Sequence, residues 1–212
     1  MTKVKICGIT NADDAKLAIS AGADYVGLIF GPSKRQIIKE TAQRIVSSTP
    51  DFKNYVGVFL NGKKKQIEEI SAVTNIRILQ FHGEETPAFC NYFINRGFDV
   101  IKVFRVKDAH SMADIELYDK VSSFFCDSFS AKEHGGTGTT FDWTLLAQNS
   151  FLNNRKVFVS GGLDQDNVCD AIKAVRPYAV DASSRLESSL GIKDSEKVYK
   201  FVQAVQRCDN HG

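Results

Sequence analysis

Residues 3–10 read KVKICGIT, and this stretch decides the fold from which the rest follows. Val4 and Ile6 mark a short buried strand that delivers Cys7 to its end, because β-branched side chains fit a pleated sheet. Gly8 allows a turn, and Thr10 with Asp13 three residues on resembles a capping box that opens a helix. A strand that hands over directly to a helix is the repeating unit of a parallel α/β fold. The thiol at its end is a candidate catalyst, since a cysteine pKa of about 8.5 can be pulled down by neighbours. Free cysteine is also among the most buried residue types, so packing alone is the competing account of Cys7.

The same unit recurs along the chain. Strands are expected at residues 25–30, 55–60, 76–81, 99–106, 123–126, 156–159 and 178–182. Between them lie segments of helical period: Ala15, Ala18 and Ile19; Ala42, Ile45 and Val46; Ile67 and Ile70; Phe89, Tyr92 and Phe93. Val168, Ala171, Ile172 and Val175 continue the series, as do Val198, Phe201, Val202 and Val205. Thr86 before Pro87, Asp142, Asp164 and Asp194 are expected to start helices, the segment after Asp108 has weak periodicity, and the tail 209–212 should fray. Eight strand–helix units without a Pro/Ser-rich linker predict one domain over residues 1–212, a single (βα)8 TIM barrel. An open doubly wound sheet is the alternative. A dinucleotide site would place GxGxxG after the first strand, where CGIT stands, and GGTGTT lacks the Gly-Lys-Ser/Thr ending of a P-loop.

Charge and cysteine usage exclude several functions. With 27 basic and 25 acidic residues the net charge is +2, so no nucleic-acid surface and no membrane-seeking face are expected. The basic run Lys63–Lys65 reads as a solvated helix start. Five cysteines without CxxC or Cys/His metal spacing argue against a disulfide framework and a metal site, and they fit a reducing cytoplasm. No apolar stretch is long enough for a signal peptide or a membrane span.

In a barrel, chemistry collects at the carboxyl ends of the strands, and phosphate binds where the loops after strands seven and eight meet a short helix. Gly161 and Gly162 let backbone N–H groups approach an anion there, and Ser183 and Ser184 add donors. Cys7, Asn61, His82 and Asp127 stand at the ends of strands one, three, four and six. His82 reads as a residue holding its loop. A carboxylic acid in a partly dry barrel mouth would have a raised pKa, so Asp127 could donate a proton while Cys7 accepts one. Such loops hold any phosphomonoester, so a flavin-phosphate oxidoreductase and a non-catalytic phosphosugar-binding barrel are the rivals. A colourless protein dismisses the first, and the presence of both Cys7 and Asp127 counts against the second.

Taken together, VKICGIT, ADYVGLIF, SKRQI, VGVFLN, LQFHGEE, VIKVFRV, HGGTGTTFDW, VSGGLDQDNV, AVDASS and GIKD resemble the phosphoribosylanthranilate isomerase family. The resemblance implies an Amadori rearrangement of a small phosphosugar in tryptophan biosynthesis, with no cofactor and no metal, by a cytoplasmic monomer or homodimer. It assigns Cys7 as general base, Asp127 as general acid and Arg35 as the residue holding the anthranilate carboxylate, a task suited to a planar guanidinium. Gly161, Gly162, Ser183 and Ser184 then bind the phosphate. Two positions depart from the family pattern: a glycine is replaced by Arg185 and a lysine by Thr139.

Overall fold

The computed structural model describes residues 1–106, 114–128, 152 and 155–210. The strands are β1 Lys3–Cys7, β2 Tyr25–Ile29, β3 Tyr55–Phe59, β4 Ile78–Phe81, β5 Asp99–Val106, β6 Ser123–Ser128, β7 Lys156–Ser160 and β8 Ala179–Ala182. Their near-continuous apolar runs suit strands covered on both faces. All pair in parallel and in sequence order, and β1 closes on β8 through Val4↔Val180 and Lys5↔Asp181, giving a closed barrel. The chain is therefore a (βα)8 barrel, as its first strand–helix unit foretells.

Around the barrel lie α1 Ala12–Ala21, α2 Lys39–Ser47, α3 Lys64–Thr74, α4 Pro87–Ile94, α5 Val168–Val175 and α6 Ser195–Asn210. Each buries its apolar stripe on the outer face of the strands. In α6 the stripe is Val198, Phe201, Val202 and Val205, all at most 1% exposed. Burying each such side chain stabilises by about 1.5–3 kcal/mol, so a charge at Val202 would break this contact. A second, smaller cluster fills the barrel itself, with Val56, Val58, Ile101, Val103, Phe125, Phe158 and Ala179 packed beneath Cys7.

Several helix starts match their sequence signals. Thr86 accepts from Phe89 N at 3.2 Å ahead of Pro87, and Asp194 Oδ1 accepts from Lys197 N at 3.1 Å. Others are corrected. The cap of α1 is Asn11, whose Oδ1 accepts from Asp14 N, because the Thr10 hydroxyl instead donates to Gly191 O at 2.6 Å. Asp164 caps a turn by accepting from Asp166 N, and α5 begins only at Val168. Asp209 does not fray: its carboxylate accepts from Thr2 N and Oγ1 at 2.5 and 2.9 Å, tying the end of α6 to the start of β1. Cys169 of α5 and Cys208 of α6 are joined as a disulfide with Cα atoms 5.7 Å apart, against the expectation of free thiols. Their wide separation in sequence carried no signal of it. Of the segment after Asp108, residues 114–122 are described, and they form only a short 3-10 helix, Ile115–Tyr118, in keeping with the weak periodicity. Thr139 and Asp142 lie outside the described residues.

Candidate active site

Cys7 ends β1 at the carboxyl mouth of the barrel and is 7% exposed. The neighbouring strand makes room for its sulfur with a glycine: a Cβ on Gly27 would stand 2.6 Å from Cys7 Sγ. Gly8, the next residue, has φ +75°, and a Cβ there would fall 2.6 Å from Arg35 Cδ and 2.9 Å from Ser183 Oγ. An L side chain would be strained at this φ and would collide with both neighbours, so glycine lets the loops after β1, β2 and β8 converge beside the thiol.

A cavity of about 200 Å³ opens here, and it brings Cys7 together with Gly161, Gly162, Ser183 and Ser184. Gly161 and Gly162 have φ of 115° and 66°, and Ser183 caps a short 3-10 turn, Ser184–Leu186. Gln80 and Asp181 line the same cavity, and the buried Gln80 Oε1 accepts no hydrogen bond from the described residues. Asn61, with φ 51°, braces the next loop by accepting from Glu84 N at 2.7 Å. An adjoining cavity of about 200 Å³ shares Ile29, Val58 and His82 with the first and is otherwise bounded by Gly31, Pro32, Ser33, Phe59 and Leu60. His82 thus faces both spaces, while its backbone N donates to Phe59 O at 2.8 Å.

Arg185 lines the first cavity, and its Nη1 lies 3.8 Å from Asp164 Oδ2 on the loop after β7. Asp127 is the penultimate residue of β6, in register with Arg105 and with the cavity residue Ser160. The position of its side chain lies outside the described residues.

Two ionic groups flank the thiol. Lys5 is fully buried, and its Nζ donates to Asp181 Oδ1 at 2.7 Å. Burial opposes its charge, but the Asp181 carboxylate and Cys7 outweigh this and hold its pKa above the usual value. Burial pushes the Cys7 thiol up; the Lys5 ammonium opposes this and Asp181 adds to it. On the other side Arg35 donates to Glu187 through Nε at 2.5 Å and Nη2 at 2.7 Å. Lys193 Nζ donates to Glu187 Oε1 and to Ser183 O, each at 3.1 Å. Glu187 and Lys193 belong to a hairpin after β8, β9 Glu187–Ser189 with β10 Ile192–Lys193. Burial works against the Glu187 carboxylate, yet Arg35 and Lys193 hold its pKa below the usual range.

Lys5, Asp181, Glu187 and Lys193 were missed in the sequence. The available signal for the first two was a charge inside an apolar strand, in KVKIC and AVDA. Nothing local marked Glu187. Among the described residues no group of three or more His, Cys, Asp or Glu side chains is placed to hold a metal ion, and no helix is long and apolar enough to cross a membrane.

Fold and site together define a (βα)8-barrel enzyme whose mouth carries a buried thiol, buried ion pairs and a glycine–serine cup. The family model of N-(5'-phosphoribosyl)anthranilate (PRA) isomerase matches residues 4–204, and the chain belongs to that family, isomerases of tryptophan biosynthesis. A relative of that name from Citrifermentans bemidjiense is 42% identical over 98% of this chain and 98% of its own. The crystal structure of phosphoribosyl anthranilate isomerase from Thermotoga maritima superimposes with a TM-score of 0.88 at 38% identity, covering 98% of this chain and 100% of that one. A structure of the isomerase in complex with reduced 1-(o-carboxyphenylamino)-1-deoxyribulose 5-phosphate gives 0.86 at 35% identity, with the same coverage.

Proposed function

We propose that this chain converts N-(5-phospho-β-D-ribosyl)anthranilate to 1-(2-carboxyphenylamino)-1-deoxy-D-ribulose 5-phosphate, with Asp127 as acid and Cys7 as base. The observation that carries this reading is that Cys7 shares one cavity with Gly161, Gly162, Ser183 and Ser184. A phosphate held by those loops places the sugar within reach of the sulfur. The adjoining cavity bounded by Pro32, Phe59 and Leu60 offers an apolar space for the aromatic ring.

In this reading Asp127 gives its proton to the furanose oxygen as the C1–O bond breaks, and the anthranilate nitrogen lone pair forms a C1=N iminium. The iminium acidifies C2–H. Cys7, as thiolate, takes that proton; the C–H electron pair becomes the C1=C2 bond while the C1=N π pair returns to nitrogen, giving a neutral enolamine. The enol O–H proton then leaves and C1 gains a proton, giving the ketose. Product and substrate are isomers, so no external oxidant or reductant enters. A positioned acid or base contributes about 10²–10⁴-fold to each step. Gln80 Oε1, buried and without a partner among the described residues, offers an acceptor to a sugar hydroxyl.

The test is an assay that generates phosphoribosylanthranilate in situ and follows its consumption. Steady consumption with formation of the carboxyphenylamino ketose is expected. A folded protein that leaves the substrate to decay at its uncatalysed rate would sink the proposal, and near-wild-type turnover in Asp127→Ala would remove the acid.

A further inference from the structure

Lys5 sits two residues before Cys7 on β1. Both side chains lie on the barrel-interior face, since Val4 and Ile6 pack in the outer cluster while Cys7 packs in the inner one. Lys5 is wholly buried, with Nζ 2.7 Å from Asp181 Oδ1 and 5.1 Å from the Phe125 ring centroid. Asp181 lines the cavity that holds the thiol, and Lys5 stands behind it, outside the lining. A cation in a barrel wall is costly to bury, and an apolar side chain would fill the space without that cost. What the ammonium supplies there is a fixed positive charge on the cavity's inner side.

We propose that Lys5 is a positioning residue: its ammonium, anchored by Asp181, sets the thiolate fraction of Cys7 and so the strength of the base. This rests on the reading of Cys7 as the base. The charged groups bearing on the sulfur come from four elements: Lys5 of β1, Asp181 of β8, Lys193 of β10 and Arg35 after β2. Lys5 and Lys193 favour the thiolate, and Asp181 and burial disfavour it. Asp181 also keeps Lys5 charged. Removing Lys5 therefore leaves burial and Asp181 pushing the thiol up against Lys193 and Arg35 alone.

The test reads Cys7 itself: the pH dependence of its alkylation by iodoacetamide, followed by mass spectrometry in the folded wild type and in Lys5→Met, Lys5→Gln and Lys5→Arg. Lys5→Met is expected to raise the midpoint by about one unit or more, making alkylation at neutral pH about tenfold slower. Lys5→Gln moves the midpoint up as Lys5→Met does, whereas Lys5→Arg keeps the charge and stays near wild type. A purely structural role would move the Lys5→Arg midpoint along with the other two. An unmoved midpoint in folded Lys5→Met overturns the proposal. If that variant does not fold, an unmoved midpoint in folded Lys5→Gln overturns it instead. The acid limb of kcat/KM should shift with the alkylation midpoint. Alkylation that shifts while the limb stays fixed upholds Lys5's effect on the thiol and sinks Cys7 as the base.

Discussion

Arg35 and Glu187 hold each other through two parallel hydrogen bonds, Nε to Oε1 at 2.5 Å and Nη2 to Oε2 at 2.7 Å. This fork-to-fork geometry is the one a guanidinium uses for any carboxylate, a ligand's included. Arg35 is thereby held beside Gly8 before substrate arrives. In our reading it either shares its outer edge with the anthranilate carboxylate or exchanges partners. Arg35→Met is expected to weaken binding of an anthranilate-bearing product analogue; unchanged affinity would remove Arg35 from the site.

Glu187 is the hub of that side, 5% exposed at its side chain and shared with the fully buried Lys193. Glu187→Gln strips the charge from both pairs, and breaking a buried pair costs about 3–5 kcal/mol. The sign of the pH dependence follows from the depressed Glu187 pKa. Its stabilisation is complete above the unfolded value of about 4.3 and is lost as pH falls through the lower folded value. Urea melts should therefore show a constant gap between wild type and variant from neutral pH to about pH 5, narrowing in more acid solution. A gap that widens on acidification contradicts this.

The sequence resemblance leads one to expect glycine where Arg185 stands, yet the non-glycine residues with positive φ among those described are Asn61, Asn75 and Arg176. No left-handed backbone calls for glycine at 185. Its guanidinium, 61% exposed, reaches across the cup toward Asp164, and a surface pair of that kind is worth about 0–1 kcal/mol. Arg185→Gly should barely change the melting temperature but should weaken inorganic phosphate binding several-fold. Wild type at ten times the phosphate Kd should gain about 1.4 kcal/mol. Tighter phosphate binding in the variant would show that the arginine obstructs the cup, and no effect of millimolar phosphate on either protein would dismiss the cup.

The disulfide gives a prediction of a different kind. Cys169 and Cys208 are 39 residues apart, and closing a loop of that size stabilises by about 4 kcal/mol in the chain-entropy account. Thiol titration of the unfolded, unreduced protein should count three, Cys7, Cys90 and Cys126, and five after reduction. Reduction should also lower the melting temperature. Five thiols without reduction would contradict the pairing.

The barrel was legible because strand patterning and caps are local. Val4–Ile6, the apolar run of β2, Thr86–Pro87 and Asp194 each announce themselves within a few residues. The glycine–serine cup was legible for a related reason, since barrels bind phosphate at a fixed place in the strand order. The Lys5–Asp181 and Arg35–Glu187 pairs were not. Their partners lie 176 and 152 residues apart, and only barrel closure between β1 and β8 and the hairpin after β8 bring them together. Thr10 failed as a cap for the same reason: Gly191, 181 residues away, competed for its hydroxyl. The hidden parts of the site are the parts made by tertiary contact.

Removal of the C2 proton by Cys7 is tested most directly by single-turnover conversion of phosphoribosylanthranilate, generated in situ, by purified Cys7→Ala. Cys7 packs at the mouth above the inner cluster, and its loss removes one small side chain, so the variant should melt close to wild type. The rate should fall by at least about 10²-fold with the melt preserved. Turnover near the wild-type rate in the folded variant would contradict that role of Cys7.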